Sequence, residues 1–174
     1  MYVKRCVGLE EALGAIQAML AEVRNHPNKY WQHACLAIVD GGGKLVAFAK
    51  MDGPSETSGD IAIRKARTAA LWRRNISEMN AWLADRDWGM ENYIPGSTAV
   101  QGGVVIADPS DTGSQMKEQD LAKPHDKSPE EVEELFGKSP IGAIGVSAAG
   151  PWQLDLEVAN VGLKYIQNKL WPQK

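Results

Sequence analysis

The chain of 174 residues is 44% hydrophobic and 24% charged, which is the composition of a globular protein able to bury a substantial core. Its formal charge of −3 at pH 7 excludes a general attraction to nucleic acid, and no apolar run approaches the roughly 20 residues that cross a bilayer. We therefore expect one domain over residues 1–174, located in the cytoplasm, with neither nucleic acid nor a membrane as a partner.

A helix and a pair of strands are predicted first along the chain. Apolar residues recur at three- and four-residue intervals from Leu9 to Val23, which predicts an amphipathic helix. The apolar run Cys35–Val39 then predicts a strand that is covered on both faces. Leu45–Lys50 predicts its antiparallel partner, because the glycines at 41–43 favour a hairpin turn between the two runs.

Two helices are predicted after the hairpin. The segment Met51–Pro54 has the residues of a turn, and Ser58 is placed to cap a helix that reaches about Arg74. A further helix is expected to end near Arg86, and residues 87–101 have no regular pattern.

A long acidic insertion separates the last two predicted strands, which lie at 102–107 and 141–147. Nine acidic residues and four lysines occur between Asp108 and Lys138, and one short helix is predicted at 128–136. A connection as long as 108–140 inside a compact domain is usually functional or mobile. Apolar residues between Leu154 and Ile166 predict a terminal helix.

This order of elements predicts an α+β fold, in which helices flank an antiparallel sheet. Four strands have clear signals in the sequence. A fifth strand, expected somewhere in 87–101, would complete the usual sheet.

His33, which lies just before the first strand, is the first candidate for chemistry. An imidazole binds haem iron or acts as a general base near neutral pH. The alternative is a histidine that only forms hydrogen bonds at the entry to the strand. The cysteines and the other histidines form no metal-binding motif, so we expect no metal except haem iron at His33.

Two aspartates, Asp40 and Asp52, stand at the ends of the paired strands, and each is followed by glycine. Paired carboxylates suit acid–base catalysis or cation binding. Asp-Gly pairs are also ordinary turn formers, in which the carboxylate accepts backbone N–H groups. The sequence leaves both alternatives open.

The helix after Ser58 is strongly basic. Its cationic residues are Arg64, Lys65, Arg67, Arg73 and Arg74. Lys65 lies about two turns from the helix N-terminus, where an anionic ligand is favoured. The alternative is a solvated or interface face, with the acidic insertion as its partner.

An ordered set of short motifs resembles the GlcG/HbpS family of haem-binding or haem-degrading-like proteins. The set comprises Val39-Asp40-x-Gly-Gly, Phe48-x-Lys50-Met51-Asp52-Gly53, Ser58, Lys65-Ala66-x-Thr68-Ala69, Gly102-Gly103 and Gly142-Ala143-Ile144-Gly145-Val146-Ser147. Asp155 with Val158-Ala159 matches the family's closing pattern, and the resemblance extends over about residues 9–166.

The resemblance implies a profilin-like fold, with a five-stranded antiparallel sheet between helices in α/β/α layers, and assembly into homo-oligomers. It also implies haem as a cofactor, and many family members are encoded in catabolic operons. The residues that it assigns to a ligand pocket are Asp52, Gly53, Ser58, Lys65, Thr68, Gly102 and Gly103, and we add His33 to them.

The chain departs from the family pattern in three places. The usual GG-x-P-I strand has no proline at Gly102–Ile106, and the usual Ser-Gly after the last strand is replaced by Ser147-Ala148-Ala149-Gly150. The short turn before that strand is expanded into the insertion 108–140. An insertion beside a pocket is expected to act as a lid or as an added subunit contact.

Three hypotheses for the function follow. In the first, the protein binds haem or another small ligand, and His33 or a pocket residue meets the iron. In the second, it is a cofactor-independent enzyme for a small anionic or aromatic metabolite, in which Lys65 holds a carboxylate, Asp52 or His33 moves a proton and 108–140 is a lid. In the third, it is an oligomeric interaction module that assembles through its acidic insertion and basic helix.

Overall fold

The structure, a computed structural model, describes residues 6–84, 96–110 and 139–172. Four α-helices, four strands and one 3₁₀ turn lie within these ranges. In chain order they are α1 (Leu9–Arg24), the 3₁₀ turn (Lys29–Trp31), β1 (Ala34–Asp40), β2 (Leu45–Lys50), α2 (Ser58–Trp72), α3 (Ile76–Ala84), β3 (Gly103–Ile106), β4 (Gly142–Ala148) and α4 (Trp152–Leu170). None of the described helices combines the length and the apolar character that a membrane span needs.

The four strands form one antiparallel sheet in the order β2-β1-β4-β3. The predicted α+β class and the hairpin of β1 and β2 are therefore confirmed. Residues 96–101 form no strand, and 87–95 lie outside the described residues. The fifth strand and the profilin-like classification stay predictions, as does the short helix at 128–136, which also lies outside the described residues.

Each face of the sheet has its own hydrophobic core, because side chains alternate along a strand. Leu36 and Ile38 of β1 pack in the core that includes buried residues of α1 and α4. Cys35, Ala37 and Val39 point the other way and pack against α2. The strand β1 is thus buried on both faces, as its continuous apolar run predicted.

Small residues let α2 lie very close to the sheet. The face of α2 that contacts the sheet includes Ala62 and Ala66, and beneath it lie Gly145 of β4 and Gly103 of β3. A Cβ atom at position 145 would collide with the carbonyl oxygen of Ala62 and lie 2.5 Å from the amide nitrogen of Ala66. These glycines therefore serve to bring a helix backbone against a strand backbone.

The start of α2 differs from the expectation. Ser58 is the first helical residue and not the cap, and the preceding Thr57 makes no side-chain capping bond. Instead the Ser58 hydroxyl lies 2.8 Å from that of Ser55, and the Ser58 amide donates to the Ser55 carbonyl at 3.1 Å. The start of α2 is therefore held by bonds between Ser55 and Ser58 and not by a side-chain cap.

Substitution of Gly145 by alanine tests the close contact between α2 and β4. We expect Gly145→Ala to lower the free energy of unfolding by about 3 kcal/mol, because the new methyl group meets two backbone atoms that cannot move independently. Gly59→Ala is the matched control, since its new Cβ would meet only the tip of the Phe48 ring, at 3.2 Å. Urea unfolding followed by circular dichroism measures both, and equal stabilities of the two variants would contradict the close contact.

Candidate functional site

A buried ion pair joins the two helical layers across the sheet. The Lys65 ammonium, on α2, lies 2.5 Å from Oδ2 of Asp155, on α4, and also donates to the Val146 carbonyl of β4 at 2.7 Å. Lys65 is 1% exposed and Asp155 is 6% exposed. A charged side chain at this depth is tolerated only when it is paired and hydrogen-bonded, and both conditions hold here.

The diglycine Gly102-Gly103, at the start of β3, provides the space for this pair. Gly102 has φ of +105°, and its carbonyl accepts the Val146 amide at 3.0 Å. A Cβ atom at Gly102 would lie 2.5 Å from Cβ of Asp155 and 3.2 Å from Nζ of Lys65. One at Gly103 would lie 2.6 Å from the Lys65 carbonyl oxygen. Both glycines therefore border the ion pair and its helix.

The Asp155 carboxylate also fixes the end of β4. Its Oδ1 accepts the Ala148 amide at 2.6 Å, while Oδ2 accepts from Lys65. Burial raises the pKa of Asp155 above its ordinary value, and the Lys65 ammonium and the Ala148 amide partly offset that rise.

Thr68, one turn after Lys65, holds the segment that precedes β3. Its hydroxyl accepts the Thr98 amide at 3.0 Å, and Thr68 is 1% exposed. The Trp72 indole donates to the Ser97 hydroxyl at 3.1 Å, and the Arg64 guanidinium donates to the Ser97 carbonyl at 3.4 Å. Residues 97 and 98 are thus tied to three positions of α2.

A second group of predicted residues lies at the end of the hairpin. The ring nitrogen Nδ1 of His33 is 2.6 Å from the carbonyl oxygen of Asp52. Gly53 has φ of +102°, and a Cβ atom there would lie 2.7 Å from the same nitrogen. The chain therefore needs glycine at 53 to bring the Asp52 carbonyl to His33, because other residues are strained in this conformation.

This hydrogen bond decides which nitrogen of His33 is available. A carbonyl oxygen only accepts, so Nδ1 must carry the proton, and in the neutral ring Nε2 has the free lone pair. His33 is half-buried, while the Asp52 residue is exposed. The arrangement matches that of metal-binding histidines, which usually donate their other ring N–H to a carbonyl or carboxylate.

The backbone connects the two groups. The Ala149 amide donates to the His33 carbonyl at 2.8 Å, and the neighbouring Ala148 amide donates to Asp155. The end of β4 is therefore held by the ion pair on one side and by the entry to β1 on the other.

The predicted pocket residues thus fall into separate places. His33, Asp52 and Gly53 lie together, and Lys65 lies with Gly102 and Gly103. Ser58 bonds to Ser55 in the turn that begins α2, and Thr68 anchors the loop before β3. Asp40 is a turn former: its Oδ1 accepts the amides of Gly42 and Lys44 at 2.8 and 2.9 Å.

Asp155 matches the family's closing pattern in the sequence, but that pattern does not identify it as the partner of Lys65. One signal was available in the spacing of α2. Lys65 is adjacent to Ala66 and lies three residues from Ala62, so it shares the buried face of that helix. A lysine on a buried face needs a carboxylate partner, and Asp155 opens the last helix of the sequence.

Removal of the lysine from the ion pair should strongly destabilise the fold. We expect Lys65→Met to lower the free energy of unfolding at neutral pH by roughly 3–5 kcal/mol, because it leaves the Asp155 carboxylate buried without a counter-charge. Lys169→Met, at an exposed position of α4, makes the same change in solvent and should alter stability by less than about 0.5 kcal/mol. Equal losses in the two variants would show that the pair has no special role.

The loss caused by Lys65→Met should depend on pH. Without Lys65, the pKa of Asp155 loses the influence that held it down, so it rises further above its value in the unfolded chain. Because its pKa is higher in the folded chain, Asp155 favours folding in its protonated form. This contribution to stability is fully present below the pKa in the unfolded chain, near 3.8, and is lost as pH rises through the pKa in the folded chain. The stability difference between wild type and Lys65→Met should therefore shrink as pH falls towards 4. A difference that stays constant over this range, measured by urea unfolding, would contradict the assignment.

Solved structures with the same fold cover nearly the whole chain. A double mutant of HbpS from Streptomyces reticuli is 24% identical, with a TM-score of 0.69 over 94% of this chain and 89% of that one. The protein ORFY from Klebsiella pneumoniae is 17% identical, with a TM-score of 0.68 over 95% and 94% of the two chains. PduOC in complex with heme is 16% identical, with a TM-score of 0.60 over 92% and 94%. At these identities the likeness shows the fold.

The family is shown by the sequence. No curated protein matches the chain. A family model described as "Haem degrading protein HbpS-like" matches residues 7–114, which is more than half of the chain. The match includes β1, β2, α2 and β3, and with them His33, Lys65 and the diglycine. The resemblance expected from the motifs is confirmed: the chain belongs to the HbpS-like family of haem-degrading proteins.

Proposed function

We propose that this protein binds haem and that His33 is the side chain that meets the iron. The observation that carries the proposal is the hydrogen bond from Nδ1 of His33 to the Asp52 carbonyl. It leaves Nε2 as the unprotonated nitrogen, which is the form that binds iron.

The side chains available as metal ligands in the described residues support haem over a bare metal ion. Within 6–84, 96–110 and 139–172, no group of three or more His, Cys, Asp and Glu side chains is placed to hold an ion. Haem would need less from the protein, because the porphyrin itself supplies four nitrogen ligands and a single protein ligand would complete the site. One oriented imidazole is sufficient for that role. When bound, haem would supply redox and oxygen chemistry, and the residues described here would hold and orient it.

The family supports the same ligand. The matching model describes haem-degrading proteins, and the similar PduOC structure is a heme complex. Assembly into homo-oligomers and a cytoplasmic location belong to this proposal as well. Both are implied by the family resemblance and the composition.

The enzyme hypothesis, in which Lys65 holds the carboxylate of a substrate, receives less support. Its ammonium is buried and already bound to Asp155 and Val146, so contact with a substrate carboxylate would require it to leave both. His33 with a free Nε2 is also suited to act as a general base. The haem experiment separates the two roles. The interaction-module hypothesis rests on the insertion 108–140, of which 111–138 lies outside the described residues.

A titration with hemin tests the proposal. The wild type should give a Soret band that saturates at one hemin per chain, and His33→Ala should weaken binding at least about tenfold or remove the histidine-type spectrum. Gly53→Ala should weaken binding by roughly 10–100-fold, because its methyl group displaces the ring that Asp52 orients.

Two variants control for nonspecific effects. His26→Ala removes a histidine whose ring interacts with Asn28, and it should leave the titration unchanged. Asp52→Ala should also bind hemin normally, because His33 uses the carbonyl of residue 52 and not its carboxylate. An unchanged spectrum and affinity in His33→Ala, or no saturable binding by the wild type, would refute the proposal.

A further inference from the structure

A cavity of about 380 Å³ lies along the outer side of α4, near its C-terminal end. Its lining residues include Asn160, Leu163, Lys164, Gln167 and Trp171. Asn160, Leu163, Lys164 and Gln167 recur at helical spacing and so form one stripe along α4, and Trp171 directly follows its last residue. The volume falls at the small end of the ~300–1,000 Å³ range of ligand pockets.

The cavity has an apolar part that suits a ring. Leu163 and Trp171 are half-buried and pack against the core shared by α1 and α4. Pro109, which follows β3 by three residues, lines the cavity from a different segment of the chain. Leucine, proline and an indole together offer flat apolar surface to a planar group.

The polar part of the lining favours a negative charge. Among the described lining residues Lys164 is the charged one, and the remaining polar groups are the amides of Asn160, Gln167 and Asn168. The nearby Asp108 carboxylate does not line the cavity and accepts bonds from the amide and hydroxyl of Ser110 at 2.9 and 2.7 Å. Among the described lining residues, an acid group on a ligand would therefore meet a cation and amide donors and no carboxylate.

We propose that this cavity binds a small organic anion with a planar apolar ring. The ring lies against Trp171 and Leu163, and the acid group contacts Lys164, with the amides available to further polar substituents. The site is separate from that of His33. Lys164 is 12 residues along α4 from Trp152, or roughly 18 Å, while the segment just before Trp152 bonds to His33 through Ala149.

The fluorescent probe 8-anilinonaphthalene-1-sulfonate, a planar apolar anion, tests the proposal on the full chain. The wild type should bind it saturably at one site, and Lys164→Met should raise its Kd at least tenfold. Lys169→Met removes an exposed lysine of the same helix that does not line the cavity, so its Kd should stay within twofold of wild type.

A variant that blocks the cavity tests the proposal even if the charge of Lys164 contributes little to the affinity for the probe. Asn160 is exposed, so Asn160→Trp fills the mouth of the cavity without a change in the core, and it should abolish probe binding while far-UV circular dichroism stays native. His33→Ala should bind the probe as the wild type does. No saturable binding by the wild type, equal effects of Lys164→Met and Lys169→Met, or undiminished binding by Asn160→Trp would each overturn the proposal.

Discussion

The ion pair between Lys65 and Asp155 is the interaction on which the described structure most depends. It starts in the α2 layer, contacts β4 at the Val146 carbonyl, and ends in the α4 layer. Lys65 and Asp155 are only 1% and 6% exposed, so separating the two charges would cost free energy, since each would be buried without a counter-charge. The pair thus connects the two helical layers through β4. It also explains why small residues surround it: Gly102 and Gly103 leave the room that the lysine side chain and its helix occupy.

The same pair determines the surroundings of the candidate haem ligand. Asp155 holds the Ala148 amide, and the next amide along the chain holds the carbonyl of His33. On its other side, His33 is fixed by the Asp52 carbonyl, which Gly53 brings into place. The imidazole is therefore oriented by backbone groups, and its position depends on the sheet and not on mobile side chains. A preorganised ligand of this kind is what tight binding of a cofactor requires.

Local patterns in the sequence predicted the elements well, because hydrophobic periodicity reports which face of an element is buried. The strand β2 was predicted at Leu45–Lys50, as observed, and β1 and α1 differ from prediction by one or two residues.

Contacts between distant residues were not predictable in this way. Lys65 and Asp155 are 90 residues apart, and nothing local specifies their meeting. The sequence identified His33, Asp52 and Gly53 as candidates, but their hydrogen bond depends on the hairpin register and on the left-handed conformation of Gly53. Ser58 is predicted to cap α2, whereas it is the first helical residue and its hydroxyl contacts that of Ser55.

The tautomer of His33 is the property on which both the contact at the hairpin end and the proposed haem ligand depend. A long-range ¹⁵N–¹H correlation spectrum of the ligand-free protein with labelled histidine reports which ring nitrogen is protonated. In the neutral ring we expect a proton on Nδ1 and a bare Nε2, and Gly53→Ala should lose that preference. A neutral His33 ring protonated on Nε2 in the wild type would contradict the hydrogen bond to Asp52 and, with it, the assignment of His33 as the iron ligand.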